Sequence, residues 1–365
     1  MRLFVDFNSS GHHPRHIEHV LNLSGGVMLT SEKALDRVSR KTVNESKLRI
    51  VAIRVATEDF TAHVKTILAF IKSNPDITSC VHLALDDIFV ALLKAISINP
   101  PTIAISGVWM SCNTFYTQTL GLKQWWKFKL LTWSWIYYVS VCNRRTSGVR
   151  ILFLNEELTG WARKKLHGGK LWASWIPDPI DEVSCVSEAA NDGVSTIAFL
   201  GVHNARKGTV WALEALRYWK GPKMRVVIAG EWRDKAGLRD AIGGLPNSID
   251  CVLWDRTVTT HEWVTIVKRS SVVCAPYHRF GGSSGIVANA LAAKRKVLVS
   301  NFGLLGKRVS QLSSAMVFEH ANSREFLAKL ESLLDCTLDD TAFQKASKWH
   351  SISGYKRRLA EHYVR

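Results

Sequence analysis

The feature that most constrains this chain is a repeated alternation between two kinds of segment. Short β-branched or apolar runs lie at residues 2–7, 49–55, 79–85, 102–106 and 149–154, and longer segments such as 16–23, 59–72 and 86–98 carry helical apolar spacing between them. The second half repeats the pattern more cleanly. Apolar runs at 196–200, 225–229, 249–253, 272–275, 296–299 and 315–318 are separated by helical segments at 209–218, 261–268, 286–293 and 324–334. Strands joined through helices must run parallel, and the helices then cover both faces of the sheet. Uninterrupted apolar runs are what strands buried on both faces require. The expectation is an α/β chain of doubly wound parallel sheets.

At 365 residues there is length for two such domains, each with its own core. The break falls at Trp175-Ile176-Pro177-Asp178-Pro179-Ile180-Asp181, where two prolines in three residues suit a stiff extended connector. A polar stretch follows, before the next strand. The expected domains are residues 1–176 and 177–345, with 346–365 as a terminal helix. Two such domains would leave a cleft at the carboxyl ends of their strands, where sheets of this kind take ligands.

Charged residues make up 22% and hydrophobic residues 47%, which excludes a disordered or fibrous chain. The seven cysteines (80, 112, 142, 185, 251, 274, 336) are scattered and form no CxxC pair, so neither a disulfide framework nor a zinc site is expected. Residues 1–7 are a short strand-like run closed at once by Asn8-Ser9-Ser10-Gly11, unlike a signal peptide. The nearest candidate for a membrane span, 130–142, carries no charge but falls well below the ~20 residues required. A cytoplasmic chain is expected.

Lys+Arg number 48 against 31 Asp+Glu, a net charge of +17, and the excess is unevenly placed. No Asp or Glu occurs from Ile88 to Asn155, yet Lys94, Lys123, Lys127, Lys129, Arg144, Arg145 and Arg150 do. Within that window residues 122–145 interleave Trp125, Trp126, Trp133, Trp135, Tyr137 and Tyr138 with lysines. Such rings tolerate one wet and one dry edge, and each neighbouring cation adds about 1 kcal/mol of attraction to an anionic lipid surface. Contact with the inner face of a membrane is expected, with a helix buried in its domain as the alternative. No nucleic-acid motif accompanies the charge.

Three loops carry candidate chemistry. Gly201-Val202-His203-Asn204-Ala205-Arg206-Lys207-Gly208 joins a strand to a helix, and free N–H groups at a helix start, with two cations beside them, suit a phosphate. Pro276-Tyr277-His278-Arg279-Phe280-Gly281-Gly282-Ser283-Ser284-Gly285 enters the next helix but one. Its glycines and serines form a nest of donors, with His278 and Arg279 at its mouth. Asn301-Phe302-Gly303-Leu304-Leu305-Gly306 follows at the same end of the sheet. The first domain contributes Ser9-Ser10-Gly11-His12-His13 at its matching edge. Asp86-Asp87, at a strand-to-helix junction, is read as a helix cap rather than a metal pair.

These motifs, in this order, resemble the retaining nucleotide-sugar glycosyltransferases of GT-B fold, the glycogen-synthase-like group 1 family. The linker 176–181 is similar to that family's Ile-Pro-Asn-Gly-Val-Asp, Gly201 and Lys207-Gly208 match its phosphate loop, and residues 290–298 resemble its Ala-Met-Ala-Ala-Gly-Lys-Pro-Val-Ile run. The resemblance implies two Rossmann-like domains and transfer of a sugar, with retention, from a nucleoside diphosphate sugar to a saccharide or lipid-linked glycan. It implies no metal or other cofactor, since backbone donors and cations stabilise the leaving diphosphate. Lys207, Arg206, His278 and Arg279 would then be catalytic. Gly201, Ser283, Ser284, Gly285, Asn289, Arg256, Thr257 and Gly11 would bind the donor, and His12 and His13 would face the acceptor. The terminal helix would cross back to the first domain.

Three positions depart from the pattern. The family's paired glutamates fall on Gly281 and Asn289, its loop arginine falls on Val202, and its first-domain histidine has no counterpart in residues 105–109. A catalytically silent nucleotide-binding homologue, or an epimerase or phosphorylase of the same architecture, is the alternative reading.

Overall fold

The computed structural model describes residues 1–9, 13–23, 25–56, 58–98, 102–110, 113–116, 122–143, 149–165, 171–179, 193–232, 235–337 and 339–362. The chain divides into two compact units. The N-terminal unit is Met1–Pro179 with Ile352–Arg365, and the C-terminal unit is Ile180–Ser351.

The N-terminal unit holds seven parallel strands: β1 Arg2–Asp6, β2 Gly26–Ser31, β3 Arg49–Ile53, β4 Ser79–His82, β5 Ile105–Trp109, β6 Val149–Phe153 and β7 Leu171–Trp175, in the order β3-β2-β1-β4-β5-β6-β7. Both faces are covered. Leu3 and Val5 of β1 join one apolar layer and Phe4 the other, and β6 does the same with Ile151 and Phe153 against Leu152. This two-sided burial explains why the strands read as continuous apolar runs. Two strands, β2 and β7, escape a reading by runs. Gly26 opens β2 and an alternating Leu-Trp-Ala-Ser-Trp makes β7, and both take their strand state from the neighbours they pair with. The run expected at 102–106 is strand only from Ile105 to Trp109. Its register is set by Gly107 opposite His82, where a Cβ would lie 2.1 Å from the His82 carbonyl oxygen.

The last helix, Ile352–His362, packs on the N-terminal unit. Tyr355 and Leu359 are buried with Ile17, Val20 and Leu21, and the Tyr355 hydroxyl hydrogen-bonds His16 Nδ1 at 2.8 Å.

The helix Leu122–Asn143 has two different sides. Phe128, Trp135 and Tyr138 are buried on one side, with the Tyr138 hydroxyl donating to the Ile105 carbonyl. Leu122, Trp126, Leu130, Trp133 and Tyr137, spaced three or four residues apart, stand exposed on the other. Among the described residues, no helix is long and apolar enough to cross a membrane.

The C-terminal unit holds six parallel strands: β8 Ser195–Leu200, β9 Met224–Ala229, β10 Ile249–Trp254, β11 Val272–Ala275, β12 Lys296–Ser300 and β13 Val317–Phe318, in the order β10-β9-β8-β11-β12-β13. One large apolar core runs through them. Three helices, Lys235–Gly243, Gly303–Ser310 and Asp340–Ala346, were not legible as apolar periods. Lys294 stands where the resembling family has glycine and takes φ +54°, closing the helix Gly285–Ala292 before β12.

Candidate active site in the C-terminal unit

In each sheet the strand order reverses once, between β1 and β4 and between β8 and β11, and at such a reversal the loops at the carboxyl ends part to leave a crevice. At the second reversal the loop after β8 meets the loop after β11. Asn204 accepts from the Lys207 N–H and turns Ala205–Lys207 into a short 3₁₀ helix, after which Gly208 at φ +66° starts the helix Thr209–Leu216. A Cβ on Gly208 would sit 2.0 Å from the Pro276 carbonyl oxygen, so the two loops touch backbone to backbone. The His278 N–H donates to the Arg206 carbonyl at 2.8 Å and ties them again.

Within this junction Lys207 Nζ donates to the Tyr277 hydroxyl at 2.8 Å and lies 4.2 Å from the centre of its ring. That hydroxyl in turn bonds Ser284 Oγ at 3.1 Å, and Ser284 caps the helix Gly285–Ala292 by accepting from the Val287 N–H. The ammonium is therefore aimed by a phenol and a ring, with its charge left for an incoming anion. Arg206, exposed, lies 4.9 Å over the Phe280 ring. Exposed Arg279 adopts φ +46°. His278 is held below the usual histidine range by partial burial. It meets a neutral-pH ligand as a hydrogen-bonding imidazole rather than a charge. Asn289 is buried one turn into the capped helix. Its amide nitrogen donates to the Gly285 carbonyl, while its Oδ1 is buried with no partner. Ser283 is half-buried beside Ser284.

The structure thus gathers Gly201, Arg206, Lys207, His278, Ser283 and Ser284 on adjoining loops, with Gly285 and Asn289 in the first turns of the helix that follows. Arg256 and Thr257 belong to a separate cluster. They follow β10, which lies beyond β9 from the reversal. Arg256 makes a two-pronged ion pair with Glu262, at 2.6 and 2.9 Å, and the Thr257 hydroxyl donates to Glu231. Arg256, first of all, draws the Glu262 carboxyl down to about 2. Gly11 and His12 lie outside the described residues. The missing glutamate has a structural counterpart at Gly281: a Cβ on Gly303 would lie 2.6 Å from Gly281 Cα, so backbone meets backbone there.

At the first reversal, His13 Nδ1 lies 3.0 Å from Asp6 Oδ2 and its Nε2 lies 3.6 Å from Asp87, with Asn8 bonding both His13 and Asp87. Burial opposes the charged imidazole, but the Asp6 hydrogen bond and the nearby carboxylates outweigh it and raise the His13 pKa. Asp86 accepts from the Met110 N–H. Among the described residues, no group of three or more His, Cys, Asp or Glu is placed to hold a metal ion.

Two residues of these sites were missed by sequence reasoning, Tyr277 and Asp6. Tyr277 stands in the glycine- and serine-rich loop that the sequence singled out, next to His278 and Arg279. Asp6 sits inside an apolar strand and gave no signal.

The geometry can be set beside known proteins. The family model described as "Glycosyl transferases group 1" matches residues 184–350. The match falls within the C-terminal unit, which is similar to a group 1 glycosyltransferase domain. Over the whole chain the fold is similar to that of a glycosyltransferase from Rickettsia africae, at 13% identity and a TM-score of 0.67, covering 99% of this chain and 97% of that one. It is also similar to sucrose-phosphate synthase from Thermosynechococcus elongatus, at 10%, 0.64, 99% and 98%. Anabaena HepE in complex with UDP and glucose gives 11%, 0.61, 99% and 98%. No curated protein matches the chain. The architecture is GT-B, with two Rossmann-like parallel-sheet units.

Two buried histidines give the fold an acid limit. His203, next to Lys207's loop, bonds Thr209 Oγ1 through Nδ1 and the Ala229 carbonyl through Nε2, and stacks on Trp232 at 4.3 Å. Burial above all pushes it down to about 4, and fully buried His82 is likewise at about 4. The unfolded chain takes up these protons near 6.5, so the stability is present above that pH and is lost as the pH falls towards 4. Each histidine then removes up to about 3 kcal/mol. Urea melts of His203→Gln should lose part of the acid sensitivity of the C-terminal unit. An unchanged pH dependence would put the acid-labile group elsewhere.

Proposed function

We propose that this chain transfers a glycosyl group from a nucleoside diphosphate sugar to a hydroxyl of a saccharide or lipid-linked glycan, with retention and without a metal, in building a cell-surface polysaccharide or lipopolysaccharide. The bond from the anomeric carbon to the diphosphate oxygen breaks, a bond from that carbon to the acceptor oxygen forms, and the acceptor's proton leaves with the diphosphate or solvent. Negative charge accumulates on the diphosphate, and fixed cations and N–H donors stabilise it. The observation that carries this reading is Lys207, aimed by Tyr277 beside a serine-capped helix start. Arg206, His278, Arg279, Gly201, Ser283, Ser284 and Gly285 serve the phosphates and sugar, and the unpartnered Asn289 Oδ1 accepts from a ribose hydroxyl. His13 serves the acceptor side. HepE was solved with UDP and glucose, which makes UDP-sugars the first donors to try.

The exposed side of the helix Leu122–Asn143 supports a place at an anionic membrane. Exposed Trp126, Trp133 and Tyr137 accompany Lys123, Lys127 and Lys129, with no acidic residue on the helix. In a panel of nucleotide sugars, released nucleotide should rise when phosphatidylglycerol vesicles carrying a membrane lipid extract are added. Trp126→Ser/Trp133→Ser should weaken vesicle binding and leave the melting temperature unchanged. Binding without release across the panel would favour the silent homologue, for which Gly281 in place of a glutamate is the specific observation. Release that ignores the vesicles would remove the membrane from the reading.

A further inference from the structure

Behind the helix Leu122–Asn143, at the carboxyl ends of β4 and β5 in the N-terminal unit, lies a cavity of about 320 Å³, a size that takes small molecules. We propose that it is a binding subsite for a neutral or amino-substituted saccharide ring, and that it rejects sugar phosphates. The inference rests on the glycosyltransferase reading, because it names the acceptor class that reading left open.

The walls are aromatic. Trp109, Trp135 and Trp161 line the cavity with Phe115, and Trp109 and Trp135 meet at 4.4 Å between ring centres. Flat rings of this kind match the apolar C–H faces of a pyranose and displace water from them. A purely apolar occupant is disfavoured by the polar groups on the same walls. Asp86 and Asp87 line one side, and an ionised carboxylate can only accept hydrogen bonds, so the occupant must bring O–H or N–H donors. Trp135 adds the opposite requirement. Its ring is 2% exposed and its indole N–H is buried with no partner, which asks for an oxygen acceptor. Rings with apolar faces and hydroxyls that both donate and accept satisfy all three demands at once.

The charge of the lining decides between sugars. Among the described residues that line the cavity there are two aspartates and no Lys, Arg or His. A phosphorylated sugar would bring a dianion against two carboxylates, and the cation beside Asp87, His13 at 3.6 Å, is already shared with Asp6 at 3.0 Å, so like charges at short range in a half-buried site still repel. A hydroxyl or an ammonium on the ring meets no such penalty.

The test uses the full-length protein without donor. Saturation-transfer NMR should detect cellobiose, chitobiose and glucosamine at millimolar concentration, with glucose 6-phosphate giving no transfer. Thr132→Trp puts an extra ring into the cavity from its half-buried wall, and Trp161→Ala removes one. Each should weaken disaccharide binding about tenfold or more, the equivalent of ~1.4 kcal/mol. Binding of UDP-sugar to the C-terminal unit, followed separately, should be unchanged in both variants, and a far-UV circular dichroism spectrum and melting curve like the parent's report that the N-terminal unit is folded. Equal or better binding of glucose 6-phosphate overturns the proposal, as does disaccharide binding that survives both substitutions or is absent from the start. Disaccharide binding by the parent protein, with no transfer from any nucleotide sugar, would overturn the glycosyltransferase reading and leave the subsite standing.

Discussion

Replacing Lys207 by alanine lowers kcat/KM for sugar transfer by about 10²–10³-fold, the loss expected when one preorganised donor to a developing oxyanion is removed. The argument is electrostatic. Lys207 is half-buried, its ammonium is fixed by Tyr277 through a 2.8 Å hydrogen bond to the hydroxyl and a ring centre 4.2 Å away, and it lies in a loop that ends at a helix start. A charge already in place needs no reorganisation as the diphosphate leaves. The effect should appear mainly in kcat, since the leaving group gains its charge in the transition state. Lys207→Arg keeps the charge but cannot reproduce the point contact to Tyr277, so it should recover only part of the rate. The measurement is nucleotide release under saturating donor, with a melting curve as control. A fall of less than about threefold in Lys207→Ala, under 1 kcal/mol, would remove the lysine from the mechanism.

Gly208→Ala destabilises the C-terminal unit by about 3 kcal/mol or more, because two independent penalties meet at one atom. At φ +66° an L-residue carries roughly 1–2 kcal/mol of strain. The added Cβ would also lie 2.0 Å from the Pro276 carbonyl oxygen and 3.4 Å from His278 Cδ2, and backbone cannot step aside as a flexible side chain can. Relief by parting the loops would pull Tyr277 from Lys207, so whatever folds should also bind donor weakly. Denaturant melts followed by tryptophan fluorescence measure the stability term. Gly160→Ala, in the middle of the helix Glu156–Lys165 with no atom within 4 Å of the new Cβ, is the control and should stabilise by about 0.5–1 kcal/mol. Equal melts for Gly208→Ala and the parent would mean that the loops do not touch as described.

The sequence by itself determined a good deal of this protein. Parallel α/β architecture follows from apolar runs alternating with helical periods, because strands buried on both faces have no polar phase to hide. The strands of the C-terminal unit were legible almost to the residue: β11 begins and ends where its run does, at Val272–Ala275. The loops that lead into the helices Thr209–Leu216 and Gly285–Ala292 were legible too, since glycine and serine mark a helix start. Boundaries that depended on partners were not. β2 and β7 have weak runs and become strands through pairing, and the start of β5 moved because register is set across the ladder by the close approach of Gly107 to His82.

Only the tertiary structure decided which groups meet. Lys207 and Tyr277 are seventy residues apart, and Asp6, His13 and Asp87 come from three segments, so no local pattern could pair them. Arg256 looked available in sequence and is held by Glu262, in the first turn of the helix Thr260–Arg269 that follows. The helix Leu122–Asn143 shows the limit most clearly. An apolar sequence on every side reports how much surface must avoid bulk water, but not which side the rest of the chain will cover. Burial of Phe128, Trp135 and Tyr138 settles that, and leaves Trp126 and Trp133 facing outward. Composition fixes the amount of apolar surface, whereas packing chooses its partner.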